Sequence, residues 1–154
     1  MKVGIKKLQG DEWQVHIGCA RVKMDRFSLE LLNSTLEHLT MLKSGQSHSN
    51  VKSYIKLGLR LDDLDDRALQ KVLSNLDSKE ILILLLAVKK PDFTQKILKN
   101  IGGILSKQLQ ADLEVTELPD EDQVKRSIQH IVETLFSMEA NGQIEIVKND
   151  TKYI

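Results

Sequence analysis

The sequence predicts a mainly α-helical protein, in which a compact bundle of short helices follows a small three-stranded antiparallel β meander. Apolar residues alternate with period two over the first 25 residues, as expected for strands with one buried face. Further along the chain they recur at spacings of three and four, which is typical of amphipathic helices. Turn and capping residues divide this second part into short segments, so a bundle of short helices is the expected architecture.

The meander is predicted from three apolar runs at about residues 3–8, 13–17 and 20–24. Gln9-Gly10-Asp11 and Gly18-Cys19 separate these runs and are typical turn residues. The single apolar face of such a sheet is expected to rest on another part of the protein, because three strands are marginally stable alone.

The helical part begins with a helix capped by Asp25 or Ser28 and expected to end near Ser44-Gly45, with Leu42 on its apolar face. Further helices are predicted at about residues 51–61, 67–75, 79–88, 93–100, 104–114 and 121–140, and a final strand at 143–148. We expect two domains, one of residues 1–50 with the meander and first helix, and one of residues 51–154.

Two helices carry additional sequence signals. Asp120 and Gln123 have the spacing of a capping box at the start of the last helix. The run at 81–88 is apolar on all sides, which favours a central helix in the core, although a strand over 81–85 is a competing interpretation.

Composition argues against several classes of function. The 22 basic and 22 acidic residues cancel, so no surface for nucleic acid is expected. The longest apolar run has eight residues, too few for membrane insertion. Cys19 is the single cysteine, and no apolar segment of a signal peptide follows the N-terminal lysines. A cytoplasmic location is therefore expected.

No pattern of catalytic or ligand-binding residues is evident. The four histidines are scattered and lack the spacing of metal ligands. Asp62-Asp63 and Asp65-Asp66 lack the alternation and glycine of a calcium loop, and are better explained as acids at a helix start. No phosphate-binding loop or nucleophile motif is present. We expect no enzyme activity, no metal and no cofactor.

An ordered series of short motifs runs from about Leu61 to Ile146. In chain order its residues are Leu64-Asp65-Asp66-Arg67, Gln70, Leu73, Leu76-Asp77-Ser78, Lys96-Ile97-Leu98-Lys99-Asn100, Leu109, Asp112-Leu113-Glu114 and Asn141-Gly142-Gln143-Ile144-Glu145-Ile146. With this series the chain resembles the C-terminal domain of the flagellar rotor switch protein FliG. Each motif is ordinary helix chemistry alone, but the ordered series over about 85 residues is specific. The resemblance implies a compact helical bundle that, in the rotor protein, faces the stator.

The chain departs from this family at the charged ridge that the resemblance places on the helix at 104–114. Ile104 stands where the family has an arginine, and Ala111 stands where it has the first of two adjacent acids. The second acid is kept as Asp112, while the family's lysine on an earlier helix falls on Leu86. Steering by paired charges requires those charges. A stator-binding role at full torque is therefore not expected.

The residues Leu86, Ile104, Gln108, Ala111 and Asp112 are instead predicted to form a partner-binding patch. Ile104, Gln108 and Ala111 share one helix face by their spacing, and the resemblance implies that Leu86 lies nearby. The functional interpretation is an apolar docking surface with Asp112 at its rim. The alternative is that the meander folds over this surface and buries it.

We therefore expect a non-enzymatic protein-protein interaction module related to the rotor switch domain, acting as a motility accessory that lacks most torque-generating charges. Its partner would be a protein, such as a rotor or stator component of the motor. The alternative is a structural, homo-oligomerising protein outside the flagellum that assembles through an exposed strand of the meander.

Overall fold

The computed structural model describes residues 1–39, 42–47 and 50–146. The chain forms two compact units, Met1–Ser53 and a second unit that begins at Tyr54. The expected domain division after residue 50 stays a prediction.

The first unit contains the predicted meander. Its strands are β1 (Val3–Lys7), β2 (Glu12–Ile17) and β3 (Ala20–Asp25), paired antiparallel in the order β1-β2-β3. Both predicted turns are confirmed, and each contains a glycine with positive φ, Gly10 at 66° and Gly18 at 62°. Glycine adopts this left-handed conformation without the steric cost that other residues incur.

The register gathers the apolar residues of the meander on one face. Val3 is opposite Ile17, and Ile5 is opposite Val15. The next helix packs on β2 and β3. Val15 is buried, but Val3 remains 66% exposed and Ile5 62% exposed. The described residues therefore cover only part of the apolar face of the meander, although the sequence predicts that the face rests on another part of the protein.

The first helix, α1 (Arg26–Leu39), begins at Asp25, one of the two predicted caps. The backbone N–H of Ser28 donates to Asp25 Oδ1 at 2.8 Å, which satisfies one of the free amides at the helix start. The helix ends at Leu39, and the prediction that it extends to Ser44-Gly45 is wrong. Leu42 N–H donates to the Leu39 carbonyl at 3.2 Å, and Leu42 lies beyond the helix.

The remaining helices are α2 (Val51–Gly58), α3 (Asp66–Leu73), α4 (Ser78–Val88), α5 (Pro91–Lys99), α6 (Gly103–Val115) and α7 (Glu121–Ala140). The mainly helical fold class is confirmed. One difference follows α2, where residues predicted as a single helix to Leu61 form a separate 3-10 helix, Leu59–Asp63. Asp65 then caps α3 by accepting from Ala68 N–H at 2.7 Å.

α4 is the central helix of the second unit, and the competing strand interpretation is wrong. It packs against both α6 and α7. Its buried residues are Ile81, Ile83, Leu84 and Leu85. Asp77 and Glu80 form a reciprocal capping box at its start, which a strand would not use. At its end, Lys89 is left-handed with φ 53°, which turns the chain toward Pro91 at the start of α5.

α7 completes the core with its buried face. Asp120 caps it by accepting from Gln123 N–H at 2.8 Å, which is the first of the two bonds of the predicted capping box. The final strand predicted at 143–148 is not formed over residues 143–146, and 147–148 lie outside the described residues. Gln143 N–H instead donates to the Met138 carbonyl, which folds the chain back on the end of α7 while Ile144 is buried.

Candidate protein-binding site

α6 presents one apolar face to the core and a different one to solvent. The helix starts after Gly102, whose carbonyl accepts from Ser106 N–H at 2.8 Å. Leu109 is buried on the inner side, and Leu105 and Leu113 are half-buried there. Because these three residues recur every four positions, they account for the packing of α6 on its neighbours.

The outward face carries four residues that we call the α6 stripe: Ile104, Gln108, Ala111 and Val115. They follow one another at steps of four, three and four, so they lie on one side of the helix. Ile104 is 91% exposed and Val115 is 80% exposed. Gln108 and Ala111 are also exposed. Large apolar side chains this open to water are unusual when they share a helix face, which marks a candidate contact surface.

Asp112 lies beside the α6 stripe and is held there by a hydrogen bond. Gln108 Nε2 donates to Asp112 Oδ1 at 3.0 Å, one helical turn along. The start of the stripe also borders a shallow open depression of about 460 Å³, lined by Gly102, Gly103, Ile104, Leu105 and Gln108. The surface therefore combines an apolar strip with one fixed acid at its side.

Leu86 has a different position from the other four predicted site residues. It lies on α4 and is half-buried, and α4 packs on α6. It does not line the depression next to Ile104. The structure therefore places Ile104, Gln108, Ala111 and Asp112 on one helix, whereas Leu86 belongs to the neighbouring helix.

Sequence reasoning did not include two exposed apolar residues, Val115 and Leu118. Val115 continues the spacing from Ile104 by one further step, so the same periodicity could have identified it. Leu118 is 47% exposed and follows the end of α6. No helical period predicts the direction of a side chain beyond the helix, so only the folded chain identifies Leu118.

A second cluster joins α3 to α5 through the buried side chain of Asn100. Its Oδ1 accepts from Gln70 Nε2 at 3.0 Å, and its Nδ2 donates to Asp66 Oδ1 at 3.0 Å and to the Lys96 carbonyl at 2.9 Å. The hydrogen bond from Asn100, and next the charge of Lys99, hold the pKa of the Asp66 carboxyl below its ordinary value. These residues connect elements and do not present a surface.

Salt bridges next to this cluster pair the lysines of α5 with acids around the start of α3. Lys96 Nζ lies 3.6 Å from Asp62 Oδ1, and Lys99 Nζ lies 3.6 Å from Asp66 Oδ2. Ion pairs at or near the protein surface contribute little stability each. They do reduce the positive charge that the α5 surface offers to an anionic ligand.

The described residues contain no group of three or more His, Cys, Asp or Glu side chains placed to hold a metal ion. Across the same parts of the chain, no helix is both long and apolar enough to cross a membrane.

Residues 47–146 match the model of a protein family described as the FliG C-terminal domain. The match confirms the resemblance derived from the residues between Leu61 and Ile146, and it begins earlier in the chain. Comparison with curated proteins finds no match, and comparison with solved structures finds none either.

Proposed function

Because the chain belongs to the FliG C-terminal domain family, we propose that it is a protein-binding module of the flagellar motor, without enzyme activity. The family is one of rotor switch domains, and its members act through contacts with other motor proteins. The partner is therefore a rotor or stator component on the cytoplasmic side. The chain acts as an accessory, since residues matching the family's charged ridge are mostly uncharged.

The observation that carries the proposal is the exposure of the α6 stripe. Ile104 and Val115 place two aliphatic side chains in water on one helix face, with Ala111 between them. Burying such side chains against a partner releases roughly 25 cal/mol per Å² of apolar surface. Asp112, held by Gln108, supplies a polar contact at the rim, as in many protein interfaces.

The test is capture of flagellar motor proteins by the purified chain and by two variants. Ile104→Asp replaces the most exposed large apolar side chain of the α6 stripe by a charge and should reduce capture at least tenfold. Gln110→Asp is the matched control, because Gln110 is exposed on the same helix but about 120° away from Ile104 around its axis. Capture that is equal for wild type and Ile104→Asp would contradict the proposal.

The half-buried residue Leu86 is tested separately. If it belongs to the same surface, Leu86→Lys should weaken capture as Ile104→Asp does, with the fold checked by circular dichroism. If Leu86→Lys binds normally while Ile104→Asp does not, the contact is confined to α6.

A second candidate function rests on the meander. Val3 and Ile5 are exposed on the edge strand β1, which favours a structural protein that self-associates through this sheet outside the flagellum. Light scattering across concentration separates the two functions. A stable oligomer that is unaffected by Ile104→Asp but is lost in Ile5→Lys supports the second candidate.

A further inference from the structure

We propose that the α6 stripe binds a second copy of this chain, through antiparallel packing of α6 on α6 across a two-fold axis. The inference rests on the proposed function in that it takes the same helix face as a docking surface. It identifies the partner from features of that face alone.

The first feature is the spacing of the α6 stripe, which reads the same in both directions. The steps from Ile104 to Gln108, Ala111 and Val115 are four, three and four. When two copies of such a stripe run antiparallel, Ile104 of each copy faces Val115 of the other. Gln108 of each copy likewise faces Ala111 of the other. A two-fold contact requires a surface of this kind, in which one patch is complementary to itself.

The second feature is the charge along one side of the stripe. Lys107 and Glu114 are both exposed and lie on the same side, about 60° and 80° around the helix from Ile104. A two-fold axis perpendicular to two antiparallel helices places each side of one helix next to the same side of the other. Lys107 then lies about 3 Å along the axis from the second copy's Glu114, and the symmetry forms this pair twice. Each of the two pairs joins a positive and a negative side chain and is therefore attractive.

The third feature excludes the parallel arrangement. Parallel two-fold packing brings opposite sides of α6 together, so Glu114 would lie beside the second copy's Asp112, two positions along the helix. Both residues are acidic, and like charges at an interface are unfavourable. In the antiparallel arrangement Asp112 instead lies near the second copy's Gln108, whose amide already donates to an Asp112 carboxylate within one chain.

The size of the surface sets the strength of the contact. A single helix face of this length buries less than the roughly 800 Å² per partner that is usual in stable complexes. The dimer is therefore weak, and it forms at high local concentration, as in an assembly that holds many copies together. Its measurement requires a concentration series extending to about 1 mM.

The test is sedimentation equilibrium of the full chain and of charge variants. Wild type should show a monomer–dimer equilibrium. Lys107→Glu alone and Glu114→Lys alone should each raise the dissociation constant roughly tenfold, because each converts two attractive pairs into repulsive ones. The double variant Lys107→Glu/Glu114→Lys should return the constant to near the wild-type value. Only a contact that pairs these two positions predicts this rescue.

Ile104→Asp should abolish the dimer, whereas Gln110→Asp, about 120° around the helix from Ile104, should leave it largely unchanged. A wild-type chain that remains monomeric to 1 mM overturns the inference. So does a dimer that is insensitive to Ile104→Asp, or a double variant that is weaker than either single one. Circular dichroism of each variant establishes that the helices remain folded.

The outcome is distinguishable from that of the proposed function. A monomeric chain that captures motor proteins through Ile104 overturns the inference and leaves the proposed function standing. A dimer with the expected charge rescue, whose capture of motor proteins does not depend on Ile104, overturns the proposed function and leaves the self-contact standing.

Discussion

Replacing Asn100 by alanine should destabilise the second unit through the loss of contacts between α3 and α5. The side chain is 7% exposed, accepts from Gln70 Nε2 and donates to the Lys96 carbonyl, in addition to its bond to Asp66. The two neutral hydrogen bonds contribute about 0.5–1.5 kcal/mol each. The side chain of Gln70 is exposed, so it can hydrogen-bond to water in the variant. We therefore expect the loss of these two bonds to lower the free energy of unfolding by about 2 kcal/mol at pH 7.

The bond to Asp66 adds a dependence on pH whose sign follows from the pKa. The folded-state pKa of Asp66 lies below its ordinary value, first because of Asn100 and then because of Lys99. The stability from this shift is therefore complete above the ordinary carboxyl pKa of about 4 and is lost as pH falls through the lower folded value. Since Asn100→Ala removes the main cause, its effect should be largest near neutral pH and smaller in acid.

The assay is urea denaturation of wild type and Asn100→Ala, followed by circular dichroism at several pH values between about 2.5 and 7. Gln95→Ala is the control, because Gln95 is an exposed residue of α5, the helix that ends just before Asn100. In an Asp66→Ala background the pH-dependent part of the Asn100→Ala effect should disappear. An Asn100→Ala variant as stable as wild type, or an effect that is constant across this pH range, would refute the reasoning.

Three further variants test packing, capping and exposure by the same denaturation assay. Gly58→Ala should lower the free energy of unfolding by about 1 kcal/mol, because a Cβ there would lie 2.8 Å from Leu84 Cδ1. This overpacking outweighs the stabilisation that alanine gives by reducing the conformational entropy of the unfolded chain. A more stable variant would show that the Leu84 side chain moves aside without cost. Asp120→Ala should cost about 1 kcal/mol through loss of the α7 cap, and more than Asp122→Ala in the same turn; equal losses would contradict the capping role. Ile104→Asp should change stability by less than about 0.5 kcal/mol, since Ile104 is 91% exposed; a large loss would indicate that the residue is buried.

The sequence predicted those elements that depend on local rules. The strands follow from period-two alternation between glycine turns. Asp120 is predicted as a cap from its position before an apolar run, and Asp25 is one of the two caps predicted for α1. Errors occurred where local rules do not distinguish alternatives. Apolar spacing continued to Leu42 although α1 ends at Leu39, and five residues are too few to separate a 3-10 helix at 59–63 from an α-helix.

Part of the candidate site could be predicted from the sequence for the same reason. Ile104, Gln108 and Ala111 share a face by spacing alone, and the structure places all three in water. Leu86 depends on how α4 packs, which periodicity does not give for a helix that is apolar on every side. The Asn100 cluster joins residues 30 and 34 positions apart, so no local rule could have assembled it.

The cluster and the α6 stripe divide the family resemblance into two physical roles. Asp66, Gln70 and Asn100 are among the residues on which the resemblance to the family rests, and they hold helices together. The resemblance implies that Ile104 and Ala111 depart from the family, and both face solvent. We therefore propose that the matching residues maintain the shared fold and that the departures change the surface. If this division is correct, Asn100→Ala lowers stability without altering partner capture by the molecules that remain folded. Ile104→Asp should lower partner capture without altering stability. Partner capture is therefore measured under conditions well below the unfolding midpoint of both variants, so that both remain folded. A loss of capture in folded Asn100→Ala would refute the division.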